Sequence, residues 1–222
     1  MTRQIFIGLT TEGSTDVRFL ESIVERTFIH IAFECKNDIE PYVKVLMVDK
    51  TRLSFNEYIE KASKQGVQEM GMHILCVHTD ADSRTVDKVY LEKITPGKKY
   101  LENSEACLCK ILIPVVPVQM MEAWMLADKL LLKREIGTDM SDEELGINKM
   151  PELFSDPKDV ISNAIRIACQ SLAKRRRKDL SINELYASIG KKIELQKLEN
   201  LPSYNTFKEE VRSAYRVLNL LI

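Results

Sequence analysis

The run Met72–Val77 reads Met-His-Ile-Leu-Cys-Val and shows no alternation of apolar and polar positions. A strand with one wet face alternates, because successive side chains point to opposite sides. A strand that is apolar almost throughout is covered on both faces, which is the habit of parallel sheets with helices on either side. Gln4–Thr10 (QIFIGLT) and Val43–Val48 (VKVLMV) read as two further strands, and Ile111–Val118 (ILIPVVPV) as a fourth. Pro114 and Pro117 take amide donors out of the fourth and confine it to a sheet edge or a broken strand.

Between these runs the apolar period becomes helical. After the Thr-Thr-Glu-Gly turn at 10–13, Ser14 or Thr15 is the expected N-cap of a helix carrying Val17, Leu20, Ile23, Phe28 and Ile31. Ser54 caps a second helix that ends near Gly66 or Gly71. Strands alternating with helices imply βαβ crossovers. From Met120 the pattern is helical throughout: Met121–Glu135, then an acidic connection over 137–157, then Val160–Leu172, Ile182–Ile189 and Thr206–Leu221. The expected architecture is α/β, a mostly parallel four-stranded sheet flanked by helices over 1–128, with a helical C-terminal extension over 129–222. The stripe Phe207, Val211, Ala214, Leu218 and Leu221 on the last helix reads as core packing. Trp124 reads as a core anchor, and His78 as a structural residue at a strand end.

A chain of 222 residues buries enough surface to fold without disulfides or metal. Its five cysteines are odd in number and scattered; only Cys107 and Cys109 are close, so buried reduced thiols are expected rather than a zinc site. No apolar run approaches the roughly 20 residues of a membrane span, and the N-terminus has no signal-peptide pattern, so the expectation is a cytoplasmic protein without membrane contact. The net charge of −1 conceals an asymmetry. Residues 158–222 carry thirteen Lys or Arg against seven Asp or Glu, and five of the thirteen form the run Lys174-Arg175-Arg176-Arg177-Lys178. Such a run is either a solvated helix face or a contact for a polyanion, where it would follow a phosphate backbone without reading bases.

Carboxylates mark the strand ends. Glu12 follows the first strand, Asp80 and Asp82 the third, and Glu122 the fourth. In a parallel sheet all strand C-termini lie along one edge, where α/β proteins bind ligands. Asp80 and Asp82 are two apart and point the same way if the segment is extended. Glu12 and Asp16 are four apart, along one side of a first helical turn. Clustered carboxylates raise one another's pKa unless a cation is present, and oxygen ligands without His or Cys spacing favour Mg²⁺ or Mn²⁺. Arg84, just beyond the Asp pair, has the donor fork suited to phosphate.

The motifs EGSTD (12–16), HTDADS (78–83) and MEAWMLAD (121–128) together resemble the TOPRIM domain, whose members include topoisomerases, primases and the overcoming-lysogenisation-defect (OLD) nucleases. Over residues 4–128 the chain is similar to a bacterial TOPRIM-like family of unknown function often encoded beside an ATPase. The resemblance implies Mg²⁺- or Mn²⁺-dependent phosphodiester hydrolysis of nucleic acid, as the effector of an ATPase-linked phage-defence system. It makes Glu12 a metal ligand or general acid/base, Asp80 and Asp82 metal ligands, and Asp16 and Glu122 the carboxylates of a second ion. OLD-type sites add a Lys near the phosphate; Lys174, Lys178 and Lys191 are the candidates. Nucleic acid and an ATPase are the implied partners, and a homodimer is left open. The alternative is a non-catalytic, metal-binding docking or regulatory partner of an ATPase. Haloacid-dehalogenase phosphatases and nucleotide-sugar glycosyltransferases fit less well, since the first want the Asp pair on the first strand and the second leave Glu12-Gly13 unexplained.

Overall fold

The computed structural model describes residues 2–170 and 180–221. Its sheet has four parallel strands, β1 (Arg3–Thr10), β2 (Ile39–Val45), β3 (Ile74–His78) and β4 (Leu112–Val115), in the order β2-β1-β3-β4. The central strands explain their sequences: every residue of β3 is buried, as its unbroken apolar run requires. Both edge strands contain proline, Pro41 in β2 and Pro114 in β4, where a missing donor costs no ladder bond.

Helix α1 (Ser14–Ala32) packs on one face of the sheet, and α2 (Phe55–Met70) on the other. Ser54 and Glu57 close a reciprocal cap at the start of α2, and Gly71, in the left-handed region at φ 61°, ends it. A helical stretch follows β3: α3 (Asp87–Val89), a π turn (Tyr90–Ile94) and α4 (Thr95–Asn103). Beyond β4 come α5 (Glu122–Met125), α6 (Lys129–Ile136), a 3₁₀ turn at Pro151–Leu153, α7 (Pro157–Gln170), α8 (Ile182–Lys192), α9 (Leu195–Leu198) and α10 (Pro202–Val217). No helix among the described residues is long and apolar enough to cross a membrane.

Two apolar clusters lie on the two faces. Ile5, Ile7, Leu9, Ile74, Cys76, Ile113 and Val115 face α1 and share one cluster with the helices from α5 to α10. Leu75, Val77 and Leu112 face α2 and α4 in the other. In the first cluster Trp124 is fully buried, its Nε1 donating to Ser203 Oγ at 2.7 Å, with its ring edge-on to Tyr204. Phe207, Val211 and Ala214 of α10 are buried there too, so the stripe packs at home. Gly190 of α8 lies against the α1 backbone: a Cβ there would stand 2.4 Å from the Phe19 carbonyl oxygen.

Several expectations change. The second strand is Ile39–Val45 rather than Val43–Val48, because a half-exposed edge strand holding Pro41 lacks the apolar run that marks a central strand. The expected helix Met121–Glu135 is two helices: Asp128 accepts a hydrogen bond from the Leu131 amide at 2.9 Å and so starts a new helix as its N-cap. The last helix begins four residues early, with Pro202 at its first position. Cys76 and Cys109 are buried as expected, but Cys35 and Cys169 are half-buried and Cys107 is exposed.

Candidate functional site

The strand ends do gather carboxylates. Gly13, not Ser14 or Thr15, is the N-cap of α1. Lacking a side chain, it caps nothing itself; Asp16 reaches back instead, its Oδ2 accepting from the Gly13 amide at 2.6 Å. That contact turns Asp16 toward the end of β3. Thr15 Oγ1 donates to its other oxygen at 3.3 Å.

At the end of β3, His78 is buried with its side chain wholly out of solvent. It shares the face of Ile74 and Cys76, and so looks toward α1. Its Nδ1 lies 3.5 Å from Asp16 Oδ2 and its Nε2 3.2 Å from Asp80 Oδ1. Neither ring nitrogen is aligned into a hydrogen bond, so these are ion-pair contacts rather than directed bonds. Asp80 Oδ1 also accepts from the Met121 amide at 2.9 Å, tying the end of β3 to the start of α5.

The electrostatics follow from this placement. Burial pulls the His78 pKa down, but contact with Asp16 and Asp80 and their charge outweigh it and raise the value to about 9. Burial pushes the Asp16 carboxyl up, yet His78, the Gly13 amide and the Thr15 hydroxyl together bring it below its ordinary value. An imidazole raised from 6.5 to about 9 on folding stabilises the fold fully below the unfolded value, and that contribution disappears as pH rises through the folded one. Stability in metal-free buffer is therefore expected to fall between pH 6.5 and about 9, by on the order of a few kcal/mol. His78→Gln should flatten that slope. A urea midpoint constant across the window would overturn this expectation.

Glu12 stands at the mouth, exposed, accepting from Thr79 Oγ1 at 2.6 Å. Lys93 Nζ donates to the same hydroxyl at 3.1 Å. Lys50 lies over the Tyr58 ring, 4.7 Å from its centroid. Burial lowers its pKa and neighbouring Lys93 adds to this, while Glu12 and Asp16 act the other way. Glu12, Lys50, Tyr58, His78, Thr79 and Lys93 line one cavity of about 200 Å³. Glu12 and Lys50 also line a second, of about 260 Å³, that runs along the first turn of α1.

The remaining predicted residues divide. Glu122 is buried and accepts a hydrogen bond from the Tyr186 hydroxyl, whose pKa rises above its usual value through burial and the Glu122 carboxylate. Asp82 is exposed, and its backbone is left-handed at φ 47°, so the Asp80–Asp82 segment is not extended and the strand alternation expected to align the two side chains does not apply. The Asp82 amide bonds to the Gln119 carbonyl at 2.8 Å, which holds that turn. Arg84 is exposed on the following loop, and Lys191 is exposed on α8. Lys174, Arg175, Arg176, Arg177 and Lys178 lie outside the described residues.

Lys50 and Lys93 were not foreseen. Lys50 arrives on the loop after β2, and Lys93 in the π turn, a distortion frequent at functional sites. Their sequence signal is faint: Pro96 one turn after Lys93 hints at an irregular helix, and nothing marks Lys50.

Among the described residues no group of three or more His, Cys, Asp or Glu side chains is close enough to enclose a metal ion. The donor chemistry present, exposed or half-exposed carboxylate oxygen at Glu12, Asp80 and Asp82, fits the open kind of magnesium site, in which one or two carboxylates share the ion with a substrate phosphate. The chain matches no family model, no curated protein and no solved structure, so its function is read from the geometry of this edge.

Proposed function

We propose that the chain is a TOPRIM-type nuclease that hydrolyses phosphodiesters of nucleic acid with Mg²⁺ or Mn²⁺. The observation carrying this reading is the juxtaposition, at the C-terminal edge of a parallel sheet, of the carboxylates Glu12, Asp16 and Asp80 with the ammonium groups of Lys50 and Lys93. Negative groups alone repel a phosphate; the two lysines, arriving from the opposite layer, make the mouth receptive to one. Asp80 would hold the ion together with the substrate, and Asp82, exposed on the adjoining turn, would add its charge at the mouth. A bound divalent ion neutralises charge on the phosphate and makes a coordinated water more acidic. Glu12, exposed and oriented by Thr79, is the group that exchanges a proton with the attacking water. Lys93, fixed through the same hydroxyl, and Lys50, held on Tyr58, bind and orient the scissile phosphate.

Purified protein incubated with Mn²⁺ or Mg²⁺ and plasmid, single-stranded DNA or tRNA is expected to cleave at least one of them, and Asp80→Asn should abolish the cleavage. That variant keeps an oxygen for the Met121 amide but gives up the charge facing His78, so its urea midpoint is measured alongside its activity. Absence of cleavage on all three substrates, or equal cleavage by the variant, would sink the reading. Lys50→Ala and Lys93→Ala should each weaken substrate binding about 10- to 150-fold, as the loss of a charged hydrogen bond of about 1.5–3 kcal/mol implies. The effect should appear in KM and diminish with added salt; salt-independent KM values would count against phosphate contact.

A further inference from the structure

His78 is a polar side chain at the heart of the edge that the proposed chemistry does not use. Its ring is out of solvent and makes no hydrogen bond. Two carboxylates from different elements approach it through different nitrogens, Asp16 from the first turn of α1 and Asp80 from beyond β3. The strand fixes its backbone: the amide of the next residue, Thr79, bonds to the Val115 carbonyl at 3.2 Å. The backbone that carries the ring is thus pinned to β4, and the ring itself is packed out of solvent.

What the ring occupies matters for metal binding. Two oxygens on one Mg²⁺ stand at most about 4 Å apart, twice the metal–oxygen bond. Asp16 and Asp80 instead contact the two nitrogens of one intervening imidazole, at 3.5 and 3.2 Å. The free chain accordingly gathers no three metal-ligating groups among its described residues. Outside this edge, charged groups among the described residues form ordinary ion pairs, such as Arg212 with Glu34 and Glu209, Lys129 and Lys133 with Asp142, and Lys98 with Glu210.

We propose that His78 is a positioning residue that keeps Asp16 and Asp80 from sharing a cation, so that the divalent ion enters with the substrate's phosphate instead of residing in the free protein. The inference takes its purpose from the metal-dependent reading above, but its measurement does not depend on cleavage. An ion that arrives with its substrate leaves the empty site without hydrolytic power, which protects other phosphodiesters from a standing metal–hydroxide.

The test is Mn²⁺ binding to the full chain at fixed pH, read from loss of the free-ion electron paramagnetic resonance signal. Wild type alone should bind Mn²⁺ weakly, and more tightly when a cleavage-resistant phosphorothioate oligonucleotide is present. His78→Ala removes the ring and should tighten substrate-free binding roughly tenfold or more, the scale on which groups around a metal site alter affinity. His78→Gln keeps most of the span with an amide between the two carboxylates and should stay as weak as wild type. Tight binding by wild type alone, no change in His78→Ala, or a gain in His78→Gln equal to that of Ala would each overturn the proposal. The wild-type comparison needs no variant to fold. A tightened site in His78→Ala without any nuclease activity leaves this proposal standing and removes the nuclease reading. Cleavage by wild type with unaltered Mn²⁺ binding in His78→Ala does the reverse.

Discussion

Glu12→Gln is expected to lower metal-dependent cleavage by about 100- to 10,000-fold, the range over which a positioned proton-transfer group acts. The substitution changes almost nothing else. Gln keeps an oxygen for the Thr79 hydroxyl, and the residue is exposed at the end of β1, where exchanges stay within about 0.5 kcal/mol of neutral. The informative result is therefore a split: kcat collapses while the urea midpoint stays where it is. If Glu12 merely helped to attract a metal, saturating Mn²⁺ would restore the variant. Activity within about fivefold of wild type at any metal concentration would remove Glu12 from the chemistry, because that is less than the smallest effect general acid–base catalysis ordinarily contributes.

Gly190→Ala should lose stability sharply, since Gly190 is the glycine whose added carbon would meet backbone atoms at under 3 Å. Gly190 lies in the body of α8, where Ala in place of Gly ordinarily favours the helix by up to about 1 kcal/mol. Here the added carbon would sit 2.4 Å from the Phe19 carbonyl oxygen and 2.9 Å from its Cα. Both are backbone atoms, so no side chain can rotate out of the way and α1 and α8 must separate. Overpacking of this kind costs about 3 kcal/mol, and the sign alone discriminates between propensity and contact. A stabilised or unchanged protein in urea would show that the two helices do not meet at this point. Because Asp16 stands on the first turn of α1, the same change should also blunt whatever chemistry the edge performs.

The parts of the fold that were legible are those where one physical effect dominates. Total burial wrote β3 and the inner part of β1 as apolar runs, and a single wet face wrote α1 as a helical stripe. Where two effects compete, the pattern blurs. β2 is half exposed and interrupted by Pro41, so its apolar residues do not form a run. Asp128 reads as a polar position of one long helix until its cap to Leu131 shows that two helices meet there. The gathering of Glu12, Asp16 and Asp80 was legible from topology, since parallel strands end on one edge. The partners of those carboxylates were not. His78 looks like any strand-end histidine, and Tyr186 lies 64 residues from the Glu122 it bonds. The two lysines reach the edge from irregular backbone, where sequence carries no period.

The sheet separates the two halves of this edge. Asp16 and Glu122 are anchored in the layer of α1, α5 and α8, whereas Lys50 and Lys93 rest with Tyr58 and Ile94 on the layer of α2 and α4. Each layer has its own apolar cluster, with the strands as a common wall. Substitutions among the anchors beneath one wall should add to those beneath the other, whereas Glu12 and Lys93, joined through the Thr79 hydroxyl, should couple. The acidic half can thus drift under mutation while the basic half is preserved, and the reverse. A lineage could retune how strongly such an edge grips a polyanion without disturbing its carboxylates, acquiring new affinities by altering one wall at a time.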